Sequence, residues 1–290
     1  MRLRYATVLT PQPDSEQESL PPRASVVVVS RNRAAMLREC LASIEASQER
    51  ERFQLIVVDN GSSDGAAHLD SEFTNAQFIR LPKNFGLTKA LNLGWRAADA
   101  EYVLFLHDDT HLEPDVIVKL AAALDANPDA AAVCPLLVDA AGHPAPQLGE
   151  LPPTGEWRPA APAGDEPFPV VYPRGAALMV RVFFIKAIRQ IDARYGQTGA
   201  DADLAAEIRR ASRRILLVPS AKVRHRGVRQ LEPIERGDFL QARAVFMGKY
   251  YGFAAGLKAR IGSVLGPLAG FRFGELRYTI SGQKIDGTQE

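Results

Sequence analysis

Two adjacent carboxylates, Asp108 and Asp109, follow a histidine, His107, and a run of five large apolar residues, Tyr102-Val-Leu-Phe-Leu106. Paired acidic side chains at the end of such a run suit a hard cation held through oxygen ligands, and a cation there suits a metal-assisted site that handles a diphosphate. The plainer reading is a cap for the helix that follows. His107 and His111 flank the pair and could ligate, although histidine beside a loop is often only a polar surface group. Asp59 opens a cluster of turn formers, Asp59-Asn-Gly-Ser-Ser-Asp-Gly65. That cluster reads as a turn, or as a carboxylate accepting from a base N–H beside backbone donors. Asp201 and Asp203 precede a basic helical stretch. They read as favourable charge at a helix start, or as a general base able to take a hydroxyl proton. Weaker signals are Asn84-x-Gly86, Asn92-x-Gly94, Lys83 and His225.

The elements that must position these residues alternate. Ala24 to Ser30 and Phe53 to Val58 are β-branched or apolar runs, each ending in polar residues, and a third short strand spans Ala76 to Leu81. Helical spacing places Met36, Leu37, Cys40, Leu41 and Ile44 on one face, and a second helix spans about Leu87 to Asp99. With the Tyr102 strand, residues 24–110 read β-α-β-β-α-β, which implies a mostly parallel sheet with ligands at the carboxyl ends of its strands. Further on come a helix over Pro114–Ala126 and a strand over Ala131–Val138. Eight prolines between Pro144 and Pro169 mark 139–169 as an extended loop. Sheet returns over Val170–Val182, interrupted at Pro173-Arg-Gly175. A helix over Phe183–Ile191, a basic helix to Arg213 and a last strand over Ile215–Val223 follow. From Pro233 the chain is helical and basic.

Composition is that of an ordinary globular protein: 290 residues, 46% hydrophobic and 24% charged. A formal net charge of +1 argues against a nucleic-acid partner on bulk electrostatics. The charge is uneven, with thirteen Lys or Arg against four acidic residues from Glu207 to Arg260. Cys40 and Cys134 read as small buried hydrophobes, which fits a reducing compartment. Residues 1–23 hold no apolar core long enough for a secretory signal, and no segment approaches the roughly 20 apolar residues of a spanning helix. The absence of Gly-x-Gly-x-x-Gly and Walker-type loops argues against a dinucleotide oxidoreductase or a P-loop NTPase.

Taken in order, seven pieces resemble the large family 2 of inverting glycosyltransferases. They are Ser25–Arg33, Ile56–Gly65, Asn84-Phe-Gly86 with Asn92-Leu-Gly94, Leu104–Thr110, Arg174–Val180, Asp201-Ala-Asp-Leu204 and Val223–Gly227. The resemblance covers roughly 24–227, is densest over 24–110, and is closest in flavour to bacterial rhamnosyltransferase-like members. It implies an α/β, GT-A fold: a Rossmann-like, mostly parallel central sheet flanked by helices, with a helical C-terminal extension. The implied organisation is a flexible lead-in over 1–23, a catalytic domain over 24–229 and a basic helical extension over 230–290.

The activity implied is transfer of a sugar, with inversion, from a nucleotide-diphosphate donor to a hydroxyl of a glycan or lipid-linked saccharide acceptor. Asp59 would hold the nucleotide base beside the Ser30–Arg33 loop. The donor-binding set would be Ser30, Asn32, Arg33, Asp59, Asn60, Asn84, Gly86, Lys89, Asp108 and Gly175. Asp109, as the last residue of the metal motif, and His225 would hold Mn2+ or Mg2+ on the diphosphate. Asp201 would be the base. Two positions depart from the family pattern: His107 stands where the motif's first Asp is usual, and Ala200 where a Glu usually precedes the base, so Asp203 is the fallback. These departures leave open a catalytically degenerate nucleotide-sugar-binding module. A nucleotidyltransferase ranks last, because Ser30-Arg-Asn-Arg33 runs straight into a helix without a Gly-rich loop. The basic extension either contacts an anionic membrane surface or packs back on the catalytic domain. The location expected is the cytoplasm, or the inner face of the cell membrane.

Overall fold

The computed structural model describes residues 21–226 and 231–281. Most of the expected lead-in, 1–20, lies outside the described residues, as do Gly227 of the last motif and 282–290.

The chain forms β1 (Ala24–Ser30), α1 (Ala34–Glu45), β2 (Phe53–Asp59), β3 (Ala76–Arg80), α2 (Leu87–Arg96) and β4 (Tyr102–His107). Then come β5 (Thr110–Leu112), α3 (Val116–Ala126) and β6 (Ala130–Val138). The main sheet runs β3-β2-β1-β4, with every neighbour parallel. It continues through β11 (Ala177–Arg181), β6, β12 (Arg214–His225) and β5, where β6 and β12 are parallel and the other pairs antiparallel. The α/β architecture expected from the alternation is present, with its parallel ladders concentrated in the first half.

Alternate residues of the central strands feed two cores. Val26, Val28, Leu104 and Leu106 pack towards α1 and α3. Val27, Val103 and Phe105 pack on the opposite face, towards α2 and α5 (Ala200–Arg210). All five residues from Tyr102 to Leu106 are buried, which is why this strand shows no alternation of polar and apolar residues. A fully buried large apolar side chain contributes about 1.5–3 kcal/mol, so a strand covered on both faces is a firm base for the turn that follows. On the α2 side the fit depends on Gly94: a Cβ there would lie 2.3 Å from Val27 Cγ1. Asn92, its neighbour in the motif, donates to the carbonyl of Ile191 at 2.7 Å and accepts from Trp95 Nε1 at 2.8 Å. The Asn92-x-Gly94 signal is therefore an anchor for α2.

Residues 139–169 are more ordered than the expected loop. They carry β7 (Pro146–Gly149), β8 (Arg158–Pro159) and β9 (Phe168–Val170). β7 pairs antiparallel with β8 and with β10 (Tyr172–Pro173), while β9 pairs with β12. Proline is tolerated on edges and in short strands, where its missing N–H breaks no ladder, and this hid the strands from the sequence reading. The expected Phe183–Ile191 helix is instead α4 (Val182–Ala187), and Arg189 beyond it takes a positive φ of 71°. Both cysteines are free and buried, as expected. Three helices close the described residues: α6 (Pro233–Tyr251), α7 (Phe253–Ala269) and α8 (Phe273–Ser281). Among the described residues no helix is long and apolar enough to cross a membrane.

Candidate active site

The strand β4 delivers its acidic pair into a braced turn. The His107 carbonyl accepts from Thr110 Oγ1 at 2.7 Å, and the His107 N–H donates to the Ala176 carbonyl at 2.9 Å. Asp108 points back into the fold, accepting from Ser30 Oγ at 2.7 Å and from Arg33 Nη1 at 3.1 Å. Burial raises its carboxyl above the usual range, against the pull of Ser30 and Arg33. Asp109 turns the other way. Its Oδ1 lies 3.3 Å from His225 Nε2 and 3.9 Å from His107 Nδ1, and its Oδ2 lies 3.7 Å from Arg33 Nη1. Burial alone would raise Asp109, but contact with His225 and the nearby His107, His225 and Arg33 hold it well below the ordinary carboxylate range.

His225 reaches this point because β12 is longer than the sequence suggested. Its last turnless stretch pairs antiparallel with β5, placing His225 opposite Thr110. Ligand atoms of His107, Asp109 and His225 all lie within 4.8 Å of one another. Burial lowers His107 to about 4, so its imidazole is neutral at neutral pH. A neutral imidazole beside an ionised carboxylate is a donor set that fits a divalent cation.

The cluster opens on a cavity of about 670 Å³. Arg31, Arg33, Lys83 and Arg174 line it with positive charge, and Asn60, Asn84, Asp108, Asp109, Gly175 and Asp201 also face it. Asn60 and Asn84 tie two loops together: Asn60 Nδ2 donates to Asn84 Oδ1 at 3.0 Å, which also accepts from the Gly86 N–H at 2.9 Å. The remaining expected residues stand behind these walls. Ser30 braces Asp108. Asp59 is buried and accepts from the Ser62 N–H at 3.0 Å. Asn32, at φ 53°, accepts from the Ser63 N–H at 2.7 Å. Lys89 is half-buried in the first turns of α2.

Asp201 sits within the first turn of α5 and not before it. Its Oδ2 accepts from the Gly175 N–H at 3.3 Å and its Oδ1 from the Ala202 N–H at 2.9 Å, and Tyr172 also hydrogen-bonds the carboxyl. Burial raises Asp201 despite these donors and the charge of Arg174. Gly199 makes this helix start possible. Its φ is +90°, and a Cβ there would fall 2.8 Å from the Tyr195 ring and 2.9 Å from Ala242 Cβ. Asp203 is turned away from the cavity. It accepts from Lys249 Nζ at 2.8 Å, Tyr250 OH at 2.7 Å and Tyr195 OH at 3.1 Å.

Sequence reading gave no site role to Trp157, Tyr172 or Arg174, all of which line the cavity. The Arg174 guanidinium lies 5.9 Å from the Trp157 ring centroid, and the Trp157 and Tyr172 rings are 4.9 Å apart. The available signal was Pro173-Arg-Gly175, a break in the sheet whose Arg174 opens one of the family-like pieces. Pro153, Gly155 and, from α6, Ile234 and Phe239 extend the same wall.

Comparison with known proteins bears on the family and the fold. The family described as "Glycosyl transferase family 2" matches residues 25–163. An N-acetylglucosaminyltransferase of Mesorhizobium japonicum is 36% identical over 106 residues, 34% of this chain and 25% of that protein. An N-acetylglucosaminyl-diphospho-decaprenol L-rhamnosyltransferase of Mycobacterium tuberculosis is 28% identical over 230 residues, 69% of this chain and 75% of that protein. The chain thus spans well under two thirds of the first of these relatives and more of the second. Among solved structures, GalNAc-T7 with UDP, GalNAc and Mn2+ superposes with a TM-score of 0.65 at 14% identity, covering 88% of this chain and 55% of that one. S. aureus TarS 1–349 in complex with UDP-GlcNAc gives 0.58 at 16% identity, covering 78% and 66%. These two likenesses speak to the fold, which is GT-A. The stretch that matches glycosyl transferase family 2, residues 25–163, holds β1 to β6 and the turn that carries His107 and Asp109.

Proposed function

We propose that the protein is an inverting glycosyltransferase that moves a sugar from a nucleotide-diphosphate donor to a hydroxyl of a glycan or lipid-linked acceptor. The observation that carries this reading is that one cavity is lined by His107 and Asp109, with His225 beside them, and by the half-buried carboxylate of Asp201. Asp109, His107 and His225 would hold a divalent cation, which when bound stabilises charge on a departing diphosphate. Two imidazoles with one carboxylate favour a transition-metal cation, such as Mn2+, over Mg2+. Arg31, Arg33, Lys83 and Arg174 offer charge to phosphate oxygens. Asp59, Ser30, Asn32, Asn60, Asn84, Gly86 and Lys89 form or support the walls on the nucleotide side, and Asp108 holds Arg33.

Asp201 would take the acceptor's proton. Two backbone N–H groups and Tyr172 fix its orientation, and its raised basicity suits it to that task. Asp203, already committed to Lys249 and two tyrosines, is left a structural role. The relatives' printed names include a rhamnosyltransferase that acts on a decaprenol-linked saccharide, which supports an acceptor of that class here. The extension over 230–290 completes the acceptor side through Ile234 and Phe239, so the proposed catalytic unit 24–229 needs α6 for a whole site.

Calorimetric titration with uridine, thymidine and guanosine diphosphates, with and without Mn2+, tests the donor side. One of them binds in a Mn2+-dependent manner, and Asp109→Ala removes that dependence while the protein stays folded. Equal binding by Asp109→Ala would sink the assignment of the cation site.

A further inference from the structure

The C-terminal helices leave an apolar face uncovered. Along α7, Phe253, Leu257, Ile261, Leu265 and Leu268 are between 49% and 84% exposed. At the helical repeat they fall within an arc of about 120°. Phe271 and Phe273, at the corner between α7 and α8, are 79% and 63% exposed. Isolated exposed apolar residues are ordinary, whereas a contiguous patch of this kind marks an interaction surface.

Charge decides what fits it. Residues 253–281 carry Lys258, Arg260, Arg272 and Arg277, and their single acidic side chain is Glu275. Glu275 is buried and paired with Arg236 and Arg272. Lys258 and Arg260 border the apolar arc on its two sides, with Arg260 held by the Thr279 carbonyl. A second copy docked on this face would set cation against cation with no exposed acid from α7 or α8 to pair with them. An anionic bilayer supplies both an apolar interior and negative headgroups.

The face also leads to the site. Gly274 packs on Pro233, where a Cβ would come within 3.0 Å. Phe273 and Ile234 flank that contact, and Ile234, 42% exposed, lines the cavity. Part of the extension's basic charge is paired within the protein, Lys249 with Asp203 and Arg236 with Glu275.

We infer that the α7 face and the Phe271–Phe273 corner dock on an anionic phospholipid surface, presenting the cavity mouth to acceptors held there. The acceptor half of this inference rests on the glycosyltransferase reading; the docking half does not. Cosedimentation of the full chain with phosphatidylcholine vesicles containing phosphatidylglycerol tests it. The wild type pellets with these vesicles, less so at high salt, and much less with phosphatidylcholine alone. Ile261→Asp/Leu265→Asp lowers the vesicle affinity roughly tenfold or more, and Lys258→Glu lowers it less. Both variants keep the wild-type Mn2+-dependent nucleotide binding, which shows that they are folded. The inference is overturned if the wild type stays in the supernatant, if the double variant binds equally, or if light scattering shows a dimer that the double variant dissolves. Vesicle binding without any nucleotide binding would instead overturn the glycosyltransferase reading and leave the docking surface standing.

Discussion

Asp109 and Asp201 are both carboxylates at the ends of elements, yet their surroundings act on them in opposite directions. Imidazoles and Arg33 hold Asp109 ionised far into acid, while burial keeps the proton on Asp201 longer than usual. For Asp201 the folded value lies above the unfolded one, so the stability that its neutral form contributes is lost as pH rises through the folded value. At neutral pH its charge is therefore a cost. Asp201→Asn is expected to melt at or above the wild-type temperature at neutral pH, and to cut transfer by about 10²–10⁴-fold, the usual reach of general acid–base catalysis. A lower melting temperature with unchanged turnover would remove Asp201 from the reaction. The same shift predicts that the wild-type rate climbs with pH along an acid limb set above the ordinary carboxylate range, and that this limb is absent in Asp201→Asn. Asp109, Asp108 and Asp201 were readable because each follows an apolar run or begins a helical one. The place of Tyr172 and Arg174 beside Asp201 was not, since it comes from β10 lying near α5, a contact between segments that local sequence does not encode.

Among the elements, α5 and α6 are joined by a small polar cluster in an otherwise apolar contact. Lys249 meets Asp203 at 2.8 Å, Glu207 at 3.0 Å and Asp192 at 3.2 Å. Burial would lower the Lys249 ammonium, but Asp203 and Glu207 outweigh it and raise it. Removing one partner of a largely buried pair strands the other, at about 3–5 kcal/mol. Lys249→Met should lose stability of that order in urea unfolding, and Asp203→Asn in the same chain should recover part of it. No loss in the single variant would mean that α6 is held by its apolar contacts alone. Apart from β5, the strands and helices of 24–138 were legible because buried strands and amphipathic helices write distinct periods. The short strands of 139–173 were not, because strands of two to four residues rich in proline carry no period. The longer β12 also escaped: Arg224 and His225 look like a polar exit until β5 pairs with them.

For the molecule as a whole, the two halves of the sheet divide the work. The parallel half ends in the Arg31, Asn60 and Asn84 loops on one side of the cavity, and the mixed half, with α5 and α6, supplies Asp201 and the apolar wall. A donor and an acceptor would thus meet over β4, whose turn carries Asp109. The measurement that tests this most directly is release of nucleoside diphosphate from a panel of nucleotide sugars, with Mn2+ and lipid-linked saccharide acceptors, in wild type, Asp109→Ala and Asp201→Asn. Cation- and acceptor-dependent release by the wild type is expected, with Asp109→Ala losing both donor binding and release, and Asp201→Asn binding the donor without transferring it. Donor binding with no release by the wild type across the whole panel, or equal release by all three proteins, would contradict the account.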